Sequence, residues 1–263
     1  MAEKTLYYTD PLRDDFATVA IAPKPLPRGF RFVSKNPLWR VLEFVFYRLV
    51  ATPLIWLIGK IGFGLRIKNR RALKKLRGTG YYMYGNHTQD MMDAYSPTLV
   101  SFPRHTHVVV SPQTVASPAL RVPVMLLGGI PVPSDLDGLR SFMKALSYRV
   151  GQKRVVMIYP EAHIWPWYTG IRCFPDTSFT YPVKDGVPAV AAVTTYRRRK
   201  IFHKLPPRLT VTVSEPFYPD ASLGERQARR KLRDEVYGFM CREASSPENY
   251  AYYHYVKKDE KTT

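Results

Sequence analysis

The sequence predicts an α/β fold: a mixed sheet with flanking helices, preceded by an N-terminal apolar two-helix element. Three observations predict it. The chain has 263 residues, enough to bury one sizeable core, and no shift in composition marks independent domains. After Gly80, short β-rich runs alternate with helical runs, the pattern of a sheet with helices on its faces. Ahead of that alternation, residues 38–65 are dominated by Leu, Val, Ile, Phe and Trp. The predicted organisation is an irregular lead-in over 1–37, an apolar helix pair with a basic segment over 38–79, and an α/β domain over 80–263 that is integrated with the helix pair.

Taken in order, the lead-in carries Pro11, Pro23, Pro25, Pro27, Gly29 and Pro37, which favour extended or irregular backbone. Glu3 and Asp10 stand where a cleaved secretory signal would need a basic start and an apolar run, so none is expected. In 38–65 the apolar run is interrupted by Arg40, Glu43, Arg48 and Lys60. Its longest uncharged stretch, 49–59, would extend roughly 17 Å as a helix against a hydrocarbon core of ~30 Å, which disfavours a simple transmembrane span. Thr52 as N-cap and Pro53 at the first helical position divide the run into helices over 38–50 and 53–65.

Residues 66–77 follow with Arg66, Lys68, Arg70, Arg71, Lys74, Lys75 and Arg77 and no acid. Basic residues beside an apolar helix pair suit attraction to anionic lipid. The plainer alternative is a buried helical hairpin with a solvated basic face. Trp39 and Trp56 join Lys68, Arg70, Arg71, Lys74 and Lys75 as candidate membrane-binding residues and favour the membrane.

Strands are predicted at 81–84, 107–110, 155–159, 189–196 and 209–213. Helices are predicted at 91–100, 119–127, 136–150 and 222–244, the second with Pro123 inside it. The aromatic and basic stretch 250–258 reads as a docked or frayed tail.

A formal charge of +19 points to an anionic partner. No nucleic-acid-binding signature accompanies the charge, so nucleic acid is not the expected partner. No glycine-rich nucleotide loop is present. Cys173 and Cys241 are the two cysteines, which supports neither a disulfide framework nor a zinc site and fits a reducing compartment.

The chemistry centres on Asn86-His87, which ends a predicted strand and is followed by Asp90 and Asp93. A histidine beside a carboxylate is held in one tautomer and can take a proton from a hydroxyl. If Thr88 caps the next helix, Asp93 is placed to reach back to His87. If the helix already includes His87, Asp90 shares its face instead.

Four blocks stand in order: Asn86-His87 with Asp93, Gly128-Gly129-Ile130-Pro131-Val132, Tyr159-Pro160-Glu161, and Gly186-Val187-Pro188-Ala189-Val190. Together, over roughly 38–216, they resemble the glycerophospholipid acyltransferase family, whose best-known members are 1-acylglycerol-3-phosphate O-acyltransferases. The resemblance implies a transfer of an acyl group from acyl-CoA or acyl carrier protein, as co-substrate, to a hydroxyl of a lysolipid, with no cofactor and no metal. It implies His87 as general base, with Asp93 favoured over Asp90 as its partner. The family separates the pair by four residues, a spacing that here falls on Met92. Asn86, Glu161, His163, Arg172, Gly128 and Gly129 become candidate substrate-binding residues, Glu161 for a glycerol hydroxyl and Arg172 for a phosphate.

The family's usual Phe-Pro-Glu-Gly-Thr-Arg is Tyr159-Pro160-Glu161-Ala162-His163-Ile164 here, and the second block lacks its arginine. Two further readings are carried: a non-catalytic lipid-binding relative, and a metal-dependent hydrolase using His87, Asp90, Asp93 and His163. The expected location is the cytoplasmic face of a membrane, peripheral or monotopic.

Overall fold

The computed structural model describes residues 4–17, 25–27, 29–115 and 118–258. Part of the lead-in, including Glu3 and Pro23, lies outside these. The centre of the fold is a seven-stranded sheet in the order β2-β8-β7-β3-β6-β4-β5. Its strands are β2 (Arg66–Lys68), β3 (Tyr81–Gly85), β4 (Thr106–Val110), β5 (Gly129–Pro131), β6 (Val155–Ile158), β7 (Ala189–Arg197) and β8 (Arg208–Val213). All neighbours are parallel except β7 and β8, which form an antiparallel hairpin, so the sheet is mixed.

Alternation along the strands divides the core into two. Tyr82, Tyr84, Val156, Ile158, Ala191 and Val193 face one side, where Phe142 and Leu146 of the Leu136–Gly151 helix and Leu232, Val236 and Met240 of the Glu225–Ala244 helix cover them. Tyr81, Met83, Val155, Met157, Val190 and Ala192 face the other, under Leu99 and Val100 of the Met92–Ser101 helix and Ala51 and Ile55 of the N-terminal helix. Burial on both faces explains why β3 and β6 read as unbroken apolar runs.

The expected helix pair is one continuous helix, Pro37–Gly62, of 26 residues. Asn36 caps its start, with its side-chain oxygen accepting from Leu38 N at 2.9 Å. Thr52 has helical dihedrals and is therefore not an N-cap. The helix passes Pro53 by widening into a π turn over Phe46–Ala51, while the Thr52 hydroxyl donates to the Tyr47 carbonyl at 2.7 Å. That combination accommodates a ring that would otherwise clash with the preceding turn. By length and composition this helix could cross a membrane. One stripe of it, Glu43, Tyr47, Ala51, Ile55 and Gly59, four residues apart, is buried against the domain along its length. Gly59 permits the closest approach, since a Cβ there would stand 3.2 Å from a Leu99 methyl.

The basic segment is also tied to the sheet. Residues Arg66–Lys68 form edge strand β2, and Arg70–Leu76 is a 3-10 turn whose Ala72 and Leu76 are buried. The lead-in and the tail correct their expectations too: β1 (Lys4–Tyr8) and β9 (Tyr253–Lys257) pair in parallel as a second, two-stranded sheet. Each strand exposes most of its residues, and neither has the apolar run that marks a core strand. The aromatic rings of Tyr8, Trp165, Tyr168 and Tyr255 pack together beneath it.

Candidate active site

His87 follows β3 by two residues, so the central strand fixes its place at the C-terminal end of the sheet. Asn86 continues the ladder with its side chain, donating to Thr194 O at 2.9 Å and accepting from Thr194 N at 2.8 Å. Asn86 is thus buried, with both amide ends turned to Thr194 and not to the solvent side where a substrate would stand. Five residues beyond His87 the Met92–Ser101 helix begins and carries Asp93 in its first turn. Its Oδ2 accepts from Thr88 N at 2.7 Å and Gln89 N at 2.8 Å and lies 2.9 Å from His87 Nδ1.

These contacts join His87 to Asp93. Asp90 is exposed. The chain before the helix turns so that the Asp93 carboxylate folds back past its own N-terminus, which is how a spacing of five intervening residues still makes a pair. Burial pushes the Asp93 carboxyl up, while His87 and the two backbone N–H groups pull it back. With Nδ1–H donated to the carboxylate, Nε2 is the basic nitrogen, on a side chain that remains 26% exposed.

Tyr159, at the end of the neighbouring strand β6, was not foreseen as part of this site. Its ring stacks on the imidazole with centroids 4.7 Å apart, and its hydroxyl donates to the Asp93 carbonyl at 2.6 Å. Gln89 and Tyr196 were missed as well: the Gln89 amide donates to Thr88 O at 2.9 Å, and the Tyr196 hydroxyl donates to the same oxygen at 3.1 Å. The available signal was adjacency. Tyr159 and Tyr196 end strands that flank the one leading to His87.

The loop after β6 braces the turn from the other side. Trp165 N donates to His87 O at 3.0 Å and Trp167 N to Thr88 O at 2.9 Å. The buried Glu161 carboxylate accepts from His87 N at 3.2 Å, from Arg172 N at 3.1 Å and from Arg172 Nη2 at 3.0 Å. Burial raises the Glu161 pKa, and Arg172 opposes it.

Two expectations are corrected here. Glu161 faces the protein and not a glycerol hydroxyl. Arg172 is only 3% exposed, its Nη2 held by Glu161 and the His163 carbonyl and its guanidinium over the Trp165 ring, while Nε and Nη1 are buried with no hydrogen-bond partner among the described residues; it is turned inward and not displayed to solvent as a phosphate clamp would be. Glu161 thereby links the His87 backbone N–H to Arg172. Ala162 takes a left-handed φ of 62°, at the position where the family's block carries glycine.

His163 turns to the N-terminal segment, its Nδ1 3.4 Å from Asp15 Oδ2. It does not converge with His87 and the aspartates as the metal-hydrolase reading needs. Among the described residues, the cluster with metal-ligand spacing is Glu43, His105 and His107. Arg154 Nη1 lies 3.1 Å from Glu43 and 3.2 Å from His107 Nε2, so a guanidinium already fills the place a cation would take.

Gly128 and Gly129 are also displaced from the site. Gly129 pairs with Val108, which is level with Met157 and Met83, three strands or roughly 14 Å across the sheet and short of its C-terminal end. Gly128 is there because its φ of 86° and its closeness to the Thr106 carbonyl exclude a side chain.

Of the expected membrane residues, Trp56 is exposed on the apolar helix and Trp39 is half-buried. Arg71 and Lys74 are exposed, while Lys68 and Lys75 pair with Glu248 and Glu215. Arg70 donates to the Val100 and Phe102 carbonyls.

The fold and this turn define an α/β protein that presents a histidine–aspartate pair at a strand end. No family model matches the chain, and no curated protein matches it. Among solved structures, it is similar to the crystal structure of the 1-acyl-sn-glycerophosphate (LPA) acyltransferase PlsC from Thermotoga maritima, with 16% identity, a TM-score of 0.53, and 82% of this chain and 86% of that chain covered. The likeness is one of fold: this chain has the general architecture of that acyltransferase.

Proposed function

We propose that the protein is a membrane-associated O-acyltransferase that moves a fatty acyl group from acyl-CoA or acyl carrier protein to a hydroxyl of a lysophospholipid or related lipid. The observation that carries this reading is the His87–Asp93 pair, with Nδ1 held at 2.9 Å and the ring clamped on Tyr159, on an acyltransferase-like fold. In the proposed reaction His87 Nε2 takes the acceptor hydroxyl's proton as the oxygen attacks the thioester carbonyl. The tetrahedral intermediate expels thiolate, which recovers the proton from His87 as the ester forms. Asp93 keeps the tautomer and stabilises the imidazolium. Glu161 and Arg172 hold the His87 backbone, and no covalent acyl-enzyme is required.

The lipid character of the acceptor is supported by the outer face of the Pro37–Gly62 helix, where Leu38, Phe44, Leu49, Leu54, Trp56 and Ile61 are exposed while the opposite stripe is docked. A helix docked along its length with an apolar outer face suits lying in the interface. A groove of about 390 Å³ lined by Arg70, Arg71, Lys74, Arg77 and Arg104 adds basic surface. With the free thiols of Cys173 and Cys241, this favours the cytoplasmic face of an anionic membrane.

The test is transfer of radiolabelled acyl groups from both donor types to a panel of lysophospholipids, glycolipids and sterols, comparing the natural chain with His87→Ala. Transfer lost in the variant is expected. Vesicle binding without transfer from any donor would overturn the enzyme reading in favour of a lipid-binding protein.

A further inference from the structure

The hairpin between β7 and β8 runs Arg197-Arg198-Arg199-Lys200-Ile201-Phe202-His203-Lys204-Leu205-Pro206-Pro207-Arg208, with no acidic residue. At its tip Ile201 is 67% and Phe202 70% exposed, among the most exposed large apolar side chains described. Leu205 N donates to Phe202 O at 2.9 Å to close the turn. Phe202 itself has a φ of 61°, a conformation that bulky L residues adopt at a cost. Packing within the fold does not repay that cost, because the ring faces solvent.

Two arginines root this hairpin on the end of the apolar helix. Arg199 Nη2 donates to Gly62 O at 2.5 Å, and Arg197 Nη2 to Gly64 O at 2.9 Å. Exposed Ile61 precedes Gly62, so the root of the hairpin meets the helix at the end of its apolar outer face. The hairpin also leaves the sheet at the end that carries His87, since Tyr196 near the close of β7 donates to Thr88 O. Arg198, Lys200 and Lys204 are exposed around the tip, a cationic collar around an apolar point.

We propose that Ile201 and Phe202 form a second insertion point, entering the interface of an anionic bilayer beside the Pro37–Gly62 helix while the collar meets lipid phosphates. The inference rests on the membrane association proposed above and adds orientation to it. A single helix lying in the interface is one line of contact, about which the rest of the domain can still rock. A second anchor at the end of β7 removes that freedom and sets the His87 turn towards the bilayer, from which a lysolipid hydroxyl would come. Apolar side chains with a basic surround match both the acyl region and the headgroups of such a membrane.

The experiment uses the full chain with Cys173→Ser and Cys241→Ser, bearing either Phe202→Cys or Leu54→Cys labelled with an environment-sensitive fluorophore. Each is mixed with vesicles of phosphatidylglycerol and phosphatidylcholine, some carrying a lipid-borne quencher. A blue shift and quenching at both positions are expected. A response at position 54 alone overturns the hairpin anchor and leaves the helix reading intact, and silence at both positions overturns the membrane reading together with the anchor.

A second variant, Ile201→Ser with Phe202→Ser, should bind these vesicles about tenfold or more weakly, with an unchanged melting temperature. Unchanged vesicle affinity overturns the proposal. Transfer to a water-soluble short-chain acceptor, measured in parallel, reads the catalytic proposal independently of the anchor.

Discussion

At the end of β3, His87 Nδ1 lies 2.9 Å from the buried Asp93, and just before β4, His105 Nε2 lies 3.7 Å from the buried Glu43. The two settings share a histidine, a carboxylate and a stacked tyrosine, yet their electrostatics are opposed. Among the described residues no arginine or lysine pairs with Asp93, whose Oδ2 takes the Thr88 and Gln89 backbone N–H groups beside His87, so its charge is directed at the imidazole. Glu43 is shared with Arg154 at 3.1 Å and Arg149 at 3.7 Å. Burial first, and then those arginines with Arg48, push His105 down to about 2. His107 is pushed the same way by burial, His105 and the arginines, and accepts from Arg154 as a neutral ring. The pairing of histidine with carboxylate therefore does not make a base. What matters is whether other cations compete for the carboxylate and whether the second ring nitrogen is reachable.

The largest expected effect separates the two histidines by function. His87→Ala should lower the kcat/KM of acyl transfer by about 10³ to 10⁴, near the upper range for a general base, with little change in melting temperature. His105→Ala should do the reverse, lowering stability while transfer persists. Equal activity losses in the two variants would erase the distinction. Next, Asp93→Asn should cost transfer about 10² to 10³, because the amide cannot stabilise the imidazolium. Asp90→Asn should stay within about twofold, as an exposed substitution away from the pair.

The third effect is on stability: Glu43→Gln removes the charge between two arginines and should destabilise the fold by about 3 kcal/mol in urea unfolding, the lower end for a broken buried pair. A smaller effect follows from pH. Because the fold holds His105 and His107 neutral, with pKa values below the unfolded value near 6.5, their stabilising contribution is complete above that pH and is lost as pH falls. Lowering pH from 6.5 to 5 should cost about 1.5 kcal/mol through His105, seen as a falling melting temperature. In a His105→Ala variant that decline should be shallower, and an unaltered slope would place the titration elsewhere.

The sequence by itself determined the five longer strands of the main sheet, the four longer flanking helices after β3 and the place of His87, because these depend on local periodicity and on strands buried on both faces. It also contained both candidate partners for the imidazole. Short edge elements were not legible: β2 and β5 have three residues each, too few for a period, and β1 and β9 exist only through pairing between the chain's two ends. The helix break expected at Thr52-Pro53 rested on a local rule, which tertiary docking of Glu43, Tyr47, Ala51 and Ile55 overrode through a π turn.

Only the tertiary structure chose Asp93 over Asp90, since the choice depends on how the backbone turns before the Met92–Ser101 helix. It also buried Glu161 and Arg172 behind the His87 turn, where residue type alone suggests an open substrate pocket. Residue type gives a side chain's chemistry, but burial and partner decide whether that chemistry faces solvent or the protein, and contacts between distant segments set both.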